Sequence, residues 1–165
     1  MRETVTYLEM TSPDDLDPAN EIPTVTLAPA TPEIHRALNI RIGEKYLWES
    51  VTFTEAQWAE YLTDPNTQTW VIRFDQQNAG LARYAITPPE VEITTFGLAP
   101  EFVGRGIGAY ALTLTLQKAW ELSTTRVWLH TSTLDHPNAL PNYQKRGLRP
   151  FRVSAKPDKD PGSAE

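Results

Sequence analysis

Apolar residues recur at two different periods along the 165-residue chain, and the period changes near its middle. After Thr31-Pro32-Glu33, the residues Ile34, Leu38 and Ile42 return every fourth position, the spacing of one helix face. Thr31 suits an N-cap, Pro32 the first helical position and Gly43 a stop. Thr54-Glu55-Ala56-Gln57 has the form of a capping box. It opens a second helix whose inner face is Trp58, Tyr61 and Leu62 and which Asp64-Pro65 ends. From residue 69 the repeat shortens to two, the period of a strand. Residues 69–74 (TWVIRF) and 81–86 (LARYAI) flank a polar turn at 75–80 and predict an antiparallel hairpin. Over residues 90–98 (EVEITTFGL), Val91 and Ile93 face one side while Glu90, Glu92 and Thr94 face the other. Helical spacing returns over 107–122, with Gly108, Leu112, Leu116, Ala119 and Trp120 on one stripe. Residues 126–131 (RVWLHT) read as a strand, 137–146 as a short helix closed by Gly147, and 148–153 as a final strand. This order predicts a mixed α+β sheet rather than a uniformly alternating parallel one.

The N-terminal part is different. Residues 12–32 hold Pro13, Pro18, Pro23, Pro29 and Pro32 among Asp14, Asp15, Asp17 and Glu21, which is loop chemistry around one short β-like run at 24–27. Residues 156–165 carry almost no apolar side chains and are expected to be an unstructured tail. No repeat or long linker divides the chain, so one domain is expected over 1–155.

Composition narrows the chemistry. Hydrophobic residues are 40% and charged ones 22%, as in a globular protein. No stretch reaches the roughly 20 apolar residues that cross a bilayer, and MRETVTYLEM lacks the apolar core of a secretory signal, so a cytoplasmic protein without a membrane partner is expected. The absence of Cys removes disulfides, thiol nucleophiles and thiolate-bound metals. A net charge of −6 argues against non-specific nucleic-acid binding, which needs many basic side chains.

The strongest local signal is Gly104-Arg105-Gly106-Ile107-Gly108, between a predicted strand and a long apolar helix. Glycines let backbone amides converge on one point. The helix that follows adds unpaired N–H groups and a partial positive charge there. The alternative is a loop that needs glycine only to pack the helix on the sheet. A Walker A loop is excluded because Ala109-Tyr110 follows Gly108. A dinucleotide fingerprint matches Gly104-x-Gly106-x-x-Ala109 but fails on context, since only one strand-helix-strand unit remains and no acidic residue ends RVWLHT.

Residues 91–153 resemble the acetyl-CoA-binding core of the Gcn5-related N-acetyltransferases, the GNAT superfamily. Val103-Gly104-Arg105-Gly106-Ile107-Gly108 occupies the family's Arg/Gln-x-x-Gly-x-Gly/Ala motif, with Val103 in place of the Arg or Gln. The run Asn138-Ala139-Leu140-Pro141-Asn142-Tyr143-Gln144-Lys145-Arg146-Gly147-Leu148 is similar to its Asn-x-x-Ala-x-x-Phe-Tyr-x-x-x-Gly-Phe signature, with Asn142 and Leu148 as departures. The resemblance implies a mostly antiparallel sheet of six to seven strands flanked by four helices, splayed between the two strands that hold CoA. It implies acetyl transfer from acetyl-CoA to a primary amine by direct attack in a ternary complex, with no metal, and commonly a homodimer. Carried over, the backbone amides of Phe96 and Leu98 bind the pantetheine arm and polarise the thioester carbonyl. Val103, Gly104, Arg105, Gly106, Ile107, Gly108 and Ala109 cradle the pyrophosphate, and Asn138 faces the pantetheine. Tyr143 is the candidate general acid, or else a ring packing the last helix. Glu92 is the candidate base, with His130 as its rival and a solvated carboxylate as the alternative.

The same resemblance assigns the acceptor pocket to the N-terminal helices, where Trp48 and Trp58 stand in an aromatic-rich stretch as candidate acceptor contacts; His130 of RVWLHT is a third candidate. Those rings equally suit a core beneath two amphipathic helices. The acidic balance favours a cationic acceptor such as a polyamine. A non-catalytic acyl-CoA-binding sensor or scaffold is the rival class, and Val103 gives it room. Asp135-His136 and the distant His35 do not make a metal site.

Overall fold

The computed structural model describes residues 3–122 and 125–156. The expected tail lies outside them from residue 157 onward. In chain order the elements are β1 (Glu3–Met10), β2 (Val25–Pro29), α1 (Pro32–Tyr46), α2 (Glu55–Thr63), β3 (Thr67–Phe74), β4 (Gln77–Thr87), β5 (Glu90–Leu98), α3 (Gly108–Leu122), β6 (Arg126–Ser132), α4 (Ala139–Lys145) and β7 (Arg149–Lys156). The strands form one seven-stranded mixed sheet in the order β2-β3-β4-β5-β6-β1-β7, antiparallel except for β5 beside β6. This is the α+β class expected.

Local signals set most boundaries. Thr31 caps α1 by accepting from the Ile34 amide, and both halves of the Thr54–Gln57 capping box form at α2. Gly43 does not stop α1, which continues to Tyr46. A Cβ at Gly43 would stand 2.9 Å from the Trp48 Cβ, so the missing side chain lets the returning chain pack on the helix instead. The hairpin is tighter than expected. Asp75 and Gln76 both take positive φ, as a two-residue turn of the I′ kind requires, so β4 starts inside the segment read as loop.

β1 went unread as a strand because its apolar positions fall on both faces. Leu8 and Met10 enter the main core, while alternation places Val5 and Tyr7 opposite. Its partners are remote in sequence: it lies antiparallel between β6 and β7, with Tyr7 opposite His130 and Arg152.

Two apolar clusters cover the sheet. Leu112, Leu116 and Ala119 of α3 pack with Leu8, Tyr84, Val91, Ile93 and Leu129. Leu38 and Ile42 of α1 pack with Trp48, Val71 and Leu81. The Tyr84 hydroxyl donates to the Thr115 carbonyl at 2.7 Å and so fixes the position of α3 over β4.

One irregularity positions the site. Opposite β4, Tyr84 pairs with Ile93 but Arg83 pairs with Thr95, so Thr94 is an extra residue in β5. Such a bulge bends its strand. The parallel pairing of β5 with β6 ends at the same place, with Ile93 beside Leu129 as its last pair. Beyond it, residues 94–98 of β5 diverge from β6 and leave a gap.

Candidate functional site

The gap opens into a cavity of about 570 Å³, within the range of small-molecule sites. Ile42 and Tyr46 of α1 and Trp48 line one side, Phe96, Gly97 and Leu98 the gap itself, and the glycine loop with Asn138, Asn142 and Tyr143 of the α4 region the far side.

Backbone direction along β5 decides what faces the gap. The Ala99 amide donates to the Ala79 carbonyl at 2.7 Å. The Gly97 carbonyl points the same way, lying 2.2 Å from an ideal Cβ placed on Gly80 of β4. Backbone groups of an extended strand alternate in direction, so the N–H groups of Phe96 and Leu98 point away from β4, into the gap. Beside them Tyr143 is 6% exposed and sets its ring edge-on to Phe96 at 6.3 Å between centroids.

Gly104 and Gly106 both have φ +80°, the left-handed region that glycine enters without strain. An ideal Cβ on Gly104, Gly106 or Gly108 would meet nothing within 4 Å. Close packing therefore does not account for these glycines. What they leave is an open concave stretch of backbone ahead of α3, whose first-turn N–H groups have no partner within the helix. The Asn142 side chain donates to the Gly108 carbonyl at 3.3 Å and ties α4 to this loop.

The remaining sequence candidates divide. Val103, Gly104, Gly106, Gly108, Ala109, Asn138 and Trp48 line the cavity with Phe96, Leu98 and Tyr143. Ile107 is buried in the core and does not line the cavity. Arg105 lies over the rings of Phe74 and Phe102, at 5.1 and 5.7 Å, and does not line the cavity. Trp58 is buried edge-on to Phe53 and Tyr61, away from it. Glu92 stands where β5 and β6 still pair and His130 one residue past their last pair, with the Glu92 carboxylate 3.5 Å from His130 Nδ1. Among the lining residues that the sequence did not assign to a site are Lys145 and Arg146 at the end of α4, and Asp135 and His136 before it. The charges of Lys145-Arg146 were a visible signal; which way α4 turns them was not. Asp135 holds its loop by accepting from the Thr131 hydroxyl at 2.6 Å and the Ser132 amide at 2.9 Å. Burial, and then the Asp135 charge, raises the pKa of the Tyr46 phenol.

On the buried face of α1, His35 is 4% exposed, and its pKa is lowered to about 4 by burial and then by the positive charge of Arg83. An unfolded histidine titrates near 6.5. Between those values the unfolded chain takes up a proton that the folded one refuses, so stability is full above about 6.5, falls with pH and levels off near 4. The loss is expected to reach about 3 kcal/mol. Urea unfolding at pH 7 and pH 4.5 should show His35→Gln losing measurably less than the parent; equal losses would refute this.

A parallel strand pair that opens beside a glycine loop and a helix N-terminus has the shape and polarity to accept an anionic, elongated ligand. The chain belongs to the acetyltransferase (GNAT) family, whose family model matches residues 34–148. No curated protein matches the sequence. Among solved structures, a GCN5-related N-acetyltransferase from Kribbella flavida is 24% identical with TM-score 0.66, over 94% of this chain and 56% of that one. One from Sphaerobacter thermophilus is 13% identical with TM-score 0.65, over 93% and 50%. An IAA acetyltransferase from Bacillus cereus is 23% identical with TM-score 0.55, over 78% and 79%. The chain thus spans about half the length of the first two, and these likenesses show the fold.

Proposed function

We propose that the protein is an acyl-CoA-dependent N-acetyltransferase, one domain over residues 1–155, that moves an acetyl group from acetyl-CoA to a primary amine by direct attack in a ternary complex. The observation that carries this reading is the gap beside Thr94, into which the Phe96 and Leu98 N–H groups point. Bound there, acetyl-CoA supplies a thioester, an acyl group already activated toward amines.

The chain's own groups do the rest. The glycine loop and the first turn of α3 hold the pyrophosphate through backbone N–H groups. Lys145 and Arg146 add the positive charge that Val103 does not supply. Asn138, whose side chain makes no capping bond to its helix, faces the pantetheine. The Phe96 and Leu98 amides donate to the thioester oxygen, and one such donor is commonly worth about 3 kcal/mol. Tyr143 gives a proton to the departing CoA thiolate, which leaves as the free thiol. Glu92, paired with His130 at the closed end of the gap, takes the amine proton through water. The absence of Cys suits direct transfer. A cytoplasmic setting, with neither nucleic acid nor membrane as partner, completes this reading.

Calorimetric titration should give CoA and acetyl-CoA affinities between micromolar and low millimolar; no binding in that range would overturn the proposal. Val103 in the cavity wall favours one second reading, an acyl-CoA sensor without turnover. Thiol release from acetyl-CoA across an amine panel separates the two.

A further inference from the structure

Outside the cavity already assigned, the least ordinary feature is a polar layer beneath α1. Arg83 of β4 is 6% exposed. Among the described residues no carboxylate stands within ion-pair distance of it. Its guanidinium donates to the Thr94 hydroxyl at 3.2 Å and the Tyr61 carbonyl at 3.4 Å and lies 3.9 Å over the Tyr61 ring. A buried cation without a counter-charge carries a large desolvation cost. Neither His35, held neutral at pH 7, nor an aromatic face supplies that counter-charge.

Elements packed on this side of the sheet, α1 with the turn after it, β4 and β5, leave further donors unused. Arg83 Nε, Asn39 Nδ2, Trp48 Nε1 and the Thr95 hydroxyl are all buried and have no hydrogen-bond partner in the protein. Asn39 is fully buried, Thr95 1% and Trp48 4% exposed. The Asn39 oxygen is already taken by the Ser50 hydroxyl at 2.5 Å, which leaves its N–H groups to face something else. A set consisting of one guanidinium, one amide, one indole and one hydroxyl complements an oxyanion, and a planar carboxylate suits the guanidinium best.

The layer adjoins the acetyl-transfer gap. Thr95, opposite Arg83, lies two residues before Gly97 on the same face of β5, about 6.7 Å along the strand. A Cβ on Gly97 would meet Ile42 at 2.9 Å and the Trp48 ring at 3.6 Å, both cavity-lining residues. We propose that Arg83, with Asn39, Trp48 and Thr95, anchors a carboxylate carried by the amine acceptor, so that the acceptor class is amino carboxylates with amine and carboxylate several bonds apart. This rests on the N-acetyltransferase reading and narrows its acceptor. It also departs from the purely cationic acceptor that net charge alone favoured.

The test is calorimetric titration of the CoA-saturated protein with glycine, β-alanine, γ-aminobutyrate and 5-aminovalerate, and in parallel with the ω-amino amides and diamines of equal length. The expected result is affinity rising toward the longer amino carboxylates, with each amide and diamine at least tenfold weaker. Arg83→Met should abolish that preference without lowering the melting temperature, since it removes an unpaired buried charge; Arg83→Lys should keep part of it. Thr95→Val, close in shape, should weaken carboxylate binding severalfold and guards against misfolding of the arginine variants. Carboxylates and amides bound alike, a preference that survives Arg83→Met, or CoA binding with no response to any carboxylate would each overturn the proposal. Failure of CoA itself to bind would instead overturn the N-acetyltransferase reading, and carboxylate titration of the CoA-free protein would still score the anchor.

Discussion

Tyr143→Phe is expected to lower kcat by about 10²–10⁴-fold, the span of a lost general acid, while CoA affinity stays within about threefold. The ring, not the hydroxyl, makes the edge-on contact with Phe96, and the Tyr143 carbonyl accepts from the Leu148 amide. Phenylalanine retains both, so the fold and the cavity wall should persist. What it removes is a phenolic proton donor in the cavity wall. A phenol near pKa 10 protonates a thiolate whose thiol titrates near 8.5 at an uphill cost of about 2 kcal/mol, small beside the gain from expelling a neutral thiol. Loss of activity should therefore appear in kcat measured by thiol release, with the acetyl-CoA KM little changed. Normal turnover in Tyr143→Phe would reduce the residue to a ring that packs α4 on the sheet.

Much of the framework was legible because its signals are local. The Thr54 capping box, the Thr31-Pro32 start and the 3.6-residue stripe of α3 each depend on a few neighbouring residues, and each formed where expected. Non-local pairing hid the rest. β1 is a strand because β6 and β7, more than a hundred residues away, accept it between them. The glycine loop was readable as a possible anion site, yet its rival reading, close packing, could be dismissed only once the space around each glycine was known.

The bulge at Thr94 shows why site geometry is harder to read than site composition. In EVEITTFGL the apolar positions shift from Val91 and Ile93 to Phe96 and Leu98 across Thr94-Thr95, but the string alone does not say which threonine is extra or what the shift does to the neighbouring strand. Yet Thr94 bends β5, ends its pairing with β6 and creates the gap. Arg83 is a related case. In LARYAI it looks like the solvent-facing member of an alternating strand, but β4 is covered on both faces and the charge is buried. Trp58, read as a possible acceptor contact, instead closes the aromatic cluster over which that arginine lies.

Gly106→Trp should raise the Kd for CoA at least 100-fold, about 2.7 kcal/mol, with only a modest loss of stability. Two effects add in binding. A side chain at φ +80° pushes the loop out of the left-handed region, at a cost of about 1–2 kcal/mol for an ordinary residue, and an indole fills the concavity where the pyrophosphate must approach the backbone. Neither reaches the core, because a Cβ at Gly106 meets no atom within 4 Å. Gly106→Ala, with the strain but little bulk, should fall between the two proteins. Gly80→Ala is the contrasting control: its Cβ would lie 2.2 Å from the Gly97 carbonyl oxygen, wedging β4 from β5, so stability and binding should fail together. Titration calorimetry and thermal melts on the same three variants separate these outcomes. Wild-type CoA affinity in Gly106→Trp would mean that the loop is not where the phosphates sit.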